Sequence, residues 1–327
     1  MNPGYQILCG DGTARKRADI LAGIMKCCVL CPHKCRVDRT AGETGFCRLG
    51  DRPMIDSALA HHGEEPVLSG RGGAGTIFFS SCNMRCVYCQ NWQISHQQTG
   101  ETIAPADLSR IMTDLQDRGC HNIDAVTPTP HLPGLIEALL DASHRGLSIP
   151  LVYNCGGYEN REIIELLDGI VDIYLPDFKY GNDRDAHAFS GVDDYVFHAA
   201  SSIREMVRQV GDCLEVENGI AQRGVLIRHL VLPGRIENSL EVLDIIKGIS
   251  TSVSLSIMSQ YTPVWTVENH PVLGRRVTKE EYETVVNRAL DMGFDNIFVQ
   301  GVSDRHLTPD FDRDDPFRWE SGVRGKG

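Results

Sequence analysis

The chain contains no apolar stretch approaching the ~18 residues that a bilayer-spanning helix needs, and it contains no internal repeat. It also lacks an excess of basic charge. Its 32 Lys and Arg stand against 44 Asp and Glu, which argues against a nucleic-acid groove with its basic stripe. The N-terminus has no basic-then-apolar secretory pattern, so a cytosolic address is expected, with no membrane partner. Cysteine, by contrast, is plentiful, with 12 in 327 residues. In a reducing compartment, cysteines clustered at short spacing signal metal or redox work. A secreted disulfide framework is the alternative, and the chain length and the clustering argue against it.

Three of these residues, Cys82, Cys86 and Cys89, fall in the run Phe79-Ser-Ser-Cys-Asn-Met-Arg-Cys-Val-Tyr-Cys-Gln-Asn-Trp92. Three thiolates at this spacing wrap one [4Fe–4S] cube from one side. No fourth cysteine follows in the run, so one iron keeps an open position. An open position signals chemistry, just as three protein ligands mark a catalytic zinc and four a structural one. A zinc clip or three unpaired core thiols is the plainer reading of the same residues.

The run resembles the cluster motif of the radical S-adenosylmethionine (radical SAM) superfamily, and the continuation Cys89-Gln-Asn-Trp92 with Ile94-Ser95 is most similar to the branch related to pyruvate formate-lyase activating enzyme. Within that branch it resembles activase-like iron–sulfur proteins with a cysteine-rich N-terminus. The resemblance implies that SAM chelates the fourth iron and that Tyr88, before the third cysteine, packs beside the adenine. It further implies reductive SAM cleavage to a 5′-deoxyadenosyl radical that abstracts hydrogen from a substrate. In activases the hydrogen comes from a glycyl residue of a partner enzyme, and flavodoxin or ferredoxin supplies the electron.

Residues 1–75 and 76–300 read differently. The first stretch holds six cysteines, short apolar segments and the turn Gly70-Arg-Gly-Gly-Ala-Gly75, and reads as a cysteine-rich metal-binding extension. The second alternates strands with amphipathic helices. Strands are expected at Thr76–Ser80, Asn122–Val126, Pro150–Asn154, Val171–Leu175, Val225–Val231, Val253–Met258 and Asn296–Gln300. Helices are expected at Ala106–Asp117, Leu135–Ser143, Arg161–Leu167, Ser239–Lys247 and Lys279–Asp291. This rhythm predicts an α/β fold with a parallel sheet and right-handed crossovers. Pattern alone leaves a doubly wound sheet and a barrel open; the resemblance implies a partial (β/α)6 barrel. Residues 301–327 read as a charged tail that wraps the surface or frays.

The cysteine run follows the first strand of the alternation, where parallel sheets place their ligands. Later strands also end in polar residues. After the second comes Thr127-Pro-Thr-Pro-His131, where related activases carry a Gly-Gly-Glu that this sequence lacks. Backbone carbonyls and the hydroxyls of Thr127 and Thr129 are the substitutes; a rigid proline turn is the alternative. Asn154 resembles the activase position facing the ribose, and Asp177 and Lys179 the pair near the SAM ribose and carboxylate. A turn at Asn154 and an ion pair between Asp177 and Lys179 are the bland readings. Arg228 inside an apolar strand needs an anion, either a SAM carboxylate or Asp177. His229 is expected in the core, while Ser259-Gln-Tyr261 is a polar strand end within reach of a ligand.

A second set, Cys28, Cys31, Cys35 and Cys47, offers four soft thiolates for zinc or a second iron–sulfur cluster. Cys27 is a substitute for Cys28, and His33 is expected to face away. Cys9, Cys120, Cys155 and Cys213 read as small core residues or surface thiols. Two rivals to the activase reading stand beside it: a radical SAM enzyme acting on a small molecule or peptide, and an iron–sulfur electron carrier that does not use SAM.

Overall fold

The computed structural model describes residues 2–302, 308–313 and 315–318. Its strands are β1 (Met54–His61), β2 (Ala74–Phe79), β3 (Glu101–Thr102), β4 (Ile123–Val126), β5 (Leu151–Cys155), β6 (Ile173–Pro176), β7 (Glu215–Glu217), β8 (Ile220–Leu230), β9 (Ser254–Met258) and β10 (Ile297–Val299). Its helices are α1 (Gly4–Gly10), α2 (Thr13–Ile24), α3 (Pro66–Ser69), α4 (Pro105–Asp117), α5 (Leu132–His144), α6 (Arg161–Glu165), α7 (Asp183–Ser190), α8 (Tyr195–Val210), α9 (Ile236–Lys247) and α10 (Lys279–Asp291). The strands run in the order β10-β9-β8-β6-β5-β4-β2-β1-β3, with β7 paired to β8. From β2 to β10 neighbours along this path are parallel; β1, β3 and β7 are antiparallel additions. The sheet stays open, as in a partial barrel.

The parallel strands read as apolar runs because both of their faces are covered. Every residue of β2, β4, β6 and β9 is buried. Local signals agree with the tertiary structure. Pro105 starts α4 without losing a hydrogen bond, and Asp107 sits in its first turn. A capping box closes the start of α10, with Thr278 and Glu281 each bonding the other's backbone. All seven expected strands and all five expected helices form, α10 with the expected bounds and the others with at least one end shifted.

The first 75 residues pack against the rest of the chain. The division drawn after residue 75 falls inside β2, and β1 pairs with β2 along its length. Helix α2 packs on α5, and the Gly4 amide donates to Asp172 at 2.7 Å. Sequence alone misses α1, α2, α7, α8 and β1. The described part of the tail packs on the barrel. Among its described residues Phe311 is buried against Phe78, ring centroids 5.3 Å apart, and its amide donates to Gln93 at 2.9 Å. The acidic residues around Phe311 mask one aromatic anchor.

Candidate functional site

At the carboxyl ends of the parallel strands lies a cavity of about 570 Å³, within the usual size of a small-molecule site. Cys82, Cys86 and Cys89 line it, on the loop that leaves β2. Tyr88, Thr127, Asn154, Asp177, Lys179 and Arg228 line it too. The strand-end residues picked from the sequence therefore converge on one site, contributed by β4, β5, β6 and β8.

Each thiol has a donor aimed at its sulfur. The Met84 amide lies 3.3 Å from Cys82 Sγ, Ser190 Oγ 2.9 Å from Cys86 Sγ, and Ser95 Oγ 3.3 Å from Cys89 Sγ. Donors of this kind suit thiolates more than thiols. Burial, reinforced by the neighbouring Cys86, pushes Cys82 up to about 11 and Cys89 up to about 12. Metal binding must therefore displace protons at these sites. The loop is also held in costly backbone conformations, with Ser81 at φ 71° and Arg85 at φ 56° on either side of Cys82. Three soft donors, Cys86 buried and Cys82 and Cys89 partly so, each with a hydrogen bond to sulfur, fit an iron–sulfur cube bound from one side.

Around the thiols the walls are differentiated. Tyr88 is buried among Tyr180, Phe189 and Tyr261, an aromatic surface suited to a nucleobase. Asp177 and Lys179 form an ion pair, as the bland reading has it. Burial alone would lower the Lys179 ammonium, but Asp177 and then Cys86 outweigh it and hold the group charged. Thr127 has φ 61°, a left-handed conformation that is costly for a β-branched residue, and its amide donates to Asn154 O at 2.8 Å. Thr129 does not face the site. It is buried, and its hydroxyl donates to Glu159 at 2.8 Å.

Arg228 departs furthest from the sequence reading. Its guanidinium is gripped by Glu64 and Glu65, the latter at 3.0 Å from Nε, and not by Asp177. Asp177 and Arg228 are backbone neighbours on adjacent strands, yet their side chains part company. The positive charge offered to a SAM carboxylate is thus already matched within the protein. Behind this group Asp124 is buried, with Asn154 3.4 Å away; burial first and Glu64 second push its carboxyl well up. Glu64 and Glu65 were invisible from sequence, because nothing in Gly63-Glu-Glu-Pro66 says that the segment folds back into the barrel. Gln260, at the end of β9, lines the cavity, but Tyr261 donates to Leu273 O at 2.7 Å. His229 is a core residue bonded to Phe178 O and Ser239.

The second cysteine set also comes together. Cys28, Cys31, Cys35 and Cys47 line one small pocket, whereas Cys27 is exposed and His33 turns out to bond Asn83 O at 2.8 Å. Cys120 and Cys155 are buried core residues, and Cys213 is exposed.

Residues 76–246 match the Radical SAM superfamily. The chain belongs to the radical SAM superfamily. Membership implies a [4Fe–4S] cluster and SAM, which the three-thiol site fits. A relative, the uncharacterized protein MJ0674 of Methanocaldococcus jannaschii, is 32% identical over 292 residues, covering 86% of this chain and 80% of that one. Among solved structures, methylornithine synthase (PylB) aligns with a TM-score of 0.47 and 12% identity, over 67% of this chain and 61% of that enzyme. Radical SAM membership does not by itself name a substrate. Among the described residues, no helix is long and apolar enough to cross a membrane.

Proposed function

We propose that this radical SAM enzyme cleaves SAM in the cavity at the barrel mouth and takes a hydrogen atom from a substrate seated in the lumen below. The observation that supports this most is the convergence of Cys82, Cys86 and Cys89 with Tyr88, Thr127, Asn154, Asp177 and Lys179 on one cavity. When bound, the cluster supplies the electron that splits SAM into methionine and a 5′-deoxyadenosyl radical. Cys82, Cys86 and Cys89 would hold such a cluster from one side and leave a position for SAM. Tyr88 gives the adenine an apolar platform, Thr127 and Asn154 offer polar groups to the ribose and amino ends, and Asp177 and Lys179 fix the ribose and carboxylate. Arg228, its charge matched by Glu64 and Glu65, belongs to the substrate side of the lumen in this reading. Cys28, Cys31, Cys35 and Cys47 hold a second metal centre. Flavodoxin or ferredoxin, in the cytosol, is the proposed electron donor.

The activase resemblance points to a glycyl residue of a partner enzyme as the substrate. A small molecule or peptide is the second reading, favoured by the Arg228–Glu64–Glu65 group, since a glycyl backbone loop has no use for such charges. Anaerobic reconstitution with iron, sulfide, SAM and dithionite, followed by assay for 5′-deoxyadenosine, tests the enzymatic core. Its formation supports SAM cleavage; a loaded cluster that yields none assigns the chain to electron transfer. A glycyl-radical resonance raised in a protein bearing a C-terminal glycyl-radical motif would support the activase reading, and failure across such proteins would leave the small-molecule reading.

A further inference from the structure

We infer that Cys28, Cys31, Cys35 and Cys47 hold a second [4Fe–4S] cluster, and that this cluster passes electrons to the one at Cys82, Cys86 and Cys89. The proposal deepens the radical SAM reading and rests on it for the destination of the electron.

Three observations carry the site. First, the four cysteines, from two loops separated in sequence, face a common pocket. Second, Arg39 is buried beside them, with its guanidinium 4.0 Å from Cys28 Sγ and otherwise bonded only to Gly50 O; no carboxylate pairs with it among the described residues. A buried cation without an anion is costly, and a thiolate-ligated cluster, net negative, supplies the missing charge. Third, the backbone beside these cysteines repeats the strain seen at the catalytic loop. Lys34, Arg36 and Arg48 all have positive φ, at 43°, 57° and 57°, and flank Cys35 and Cys47. Gly45 is required in the same place, because a Cβ there would lie 2.7 Å from Cys35 Sγ. The Phe46 amide donates to Cys35 Sγ at 3.3 Å, as donors do at the catalytic thiols.

The site repeats features of the catalytic loop, with positive-φ residues beside its cysteines and an amide aimed at a sulfur, and this parallel favours a cube. A tetrahedral zinc, with all four sulfurs about 2.3 Å from one centre, is the alternative that the test below decides.

The two sites adjoin through two hydrogen bonds. Ser81 Oγ donates to Cys47 O at 2.5 Å, and Ser81 precedes Cys82 in the chain. His33, between Cys31 and Cys35, bonds Asn83 O at 2.8 Å, and Asn83 follows Cys82. The second cluster, reduced by one electron from flavodoxin or ferredoxin, returns to its oxidised state as the first gains that electron. No bond forms or breaks and no proton moves.

The test uses the full chain reconstituted anaerobically with iron and sulfide, with zinc also supplied. Iron, sulfide and zinc are measured per chain in the wild type, in the Cys82→Ala/Cys86→Ala/Cys89→Ala triple variant, and in the Cys31→Ala/Cys35→Ala double variant. About eight irons are expected in the wild type and about four in the triple variant, which should still give a [4Fe–4S] resonance on reduction. The double variant, which leaves the catalytic loop intact, should also retain about four. Zinc in place of iron in the triple variant, or no metal there at all, overturns the second cluster. In the fully reduced wild type the two paramagnets should broaden each other's resonance, and a spectrum equal to the sum of the two variants' spectra overturns the relay. SAM cleavage is read separately. Eight irons with no 5′-deoxyadenosine would sink the radical SAM reading while sparing the second cluster; cleavage with four irons would do the reverse.

Discussion

Ser190 Oγ lies 2.9 Å from Cys86 Sγ, so the last residue of α7 donates a hydrogen bond to a thiol on a loop more than 100 residues away in the chain. Such a bond strengthens as negative charge builds on the cluster, and therefore eases its reduction. Ser190→Ala should make the cluster's reduction potential more negative. The shift should be on the order of tens of millivolts, since 59 mV is a tenfold change for one electron. Potentiometric titration followed by paramagnetic resonance reads it; an unchanged potential would mean that the hydroxyl turns elsewhere once iron is bound.

Replacing any one of Cys82, Cys86 and Cys89 by alanine leaves two thiolates for a cube. Each variant should lose SAM cleavage and the cluster resonance from this site while keeping the fold. Wild-type cleavage in any of them would remove these residues from the site.

Arg228→Ala strands two carboxylates, with side chains about as buried as the arginine's own. Breaking a buried pair by removing one partner costs about 3–5 kcal/mol. Burial raises the Glu65 carboxyl, but Arg228 more than offsets this and holds it below its usual range. A lowered pKa adds stability above the unfolded value that is lost as pH falls through the folded one. Wild-type stability should thus fall on acidification below the ordinary carboxylate range, and that part of the pH dependence should vanish in Arg228→Ala. Urea midpoints across pH check both; a variant as stable as wild type would return Arg228 to a ligand role.

Glu159 has the opposite sign. Burial pushes its carboxyl up to about 7, and Thr129 and Tyr153 donate to it at 2.8 and 3.1 Å. A raised carboxyl is stabilised while neutral, so its contribution is full below the unfolded value and is lost as pH rises toward the folded one. Glu159→Gln should stabilise the protein at pH 8 relative to pH 5 by on the order of 2–3 kcal/mol compared with wild type. Equal effects at both pH values would contradict it.

Thr127 holds a left-handed backbone at the cavity wall. Thr127→Gly should relieve that strain and stabilise the fold by about 1 kcal/mol. If its hydroxyl binds SAM, affinity should fall in the same variant. Melting temperature and SAM titration separate the effects; a lowered melting temperature would mean that the backbone is not strained.

How much of this was legible follows from the kind of signal each residue leaves. Cys82, Cys86 and Cys89 were found because three thiols at short spacing have few other uses. Asp177 and Lys179 were found because polar residues at the end of an apolar strand must face a mouth. The partners of Arg228 were hidden, since Glu64 and Glu65 arrive from a loop more than 160 positions away. Tertiary contact, not local pattern, put them there. Phe311 was hidden by the charges around it, and α8 by a buried face that includes Ser202, Glu205 and Gln209. Burial of Arg39 beside Cys28 had no sequence signature either, although the four cysteines themselves did.

The most direct measurement is the paramagnetic resonance of the reduced catalytic cluster with and without SAM, recorded in the Cys31→Ala/Cys35→Ala variant so that a single cluster reports. An open fourth iron predicts that SAM shifts the spectrum, and that 5′-deoxyadenosine and methionine then form in equal amounts. A spectrum indifferent to SAM, with neither product, would contradict it.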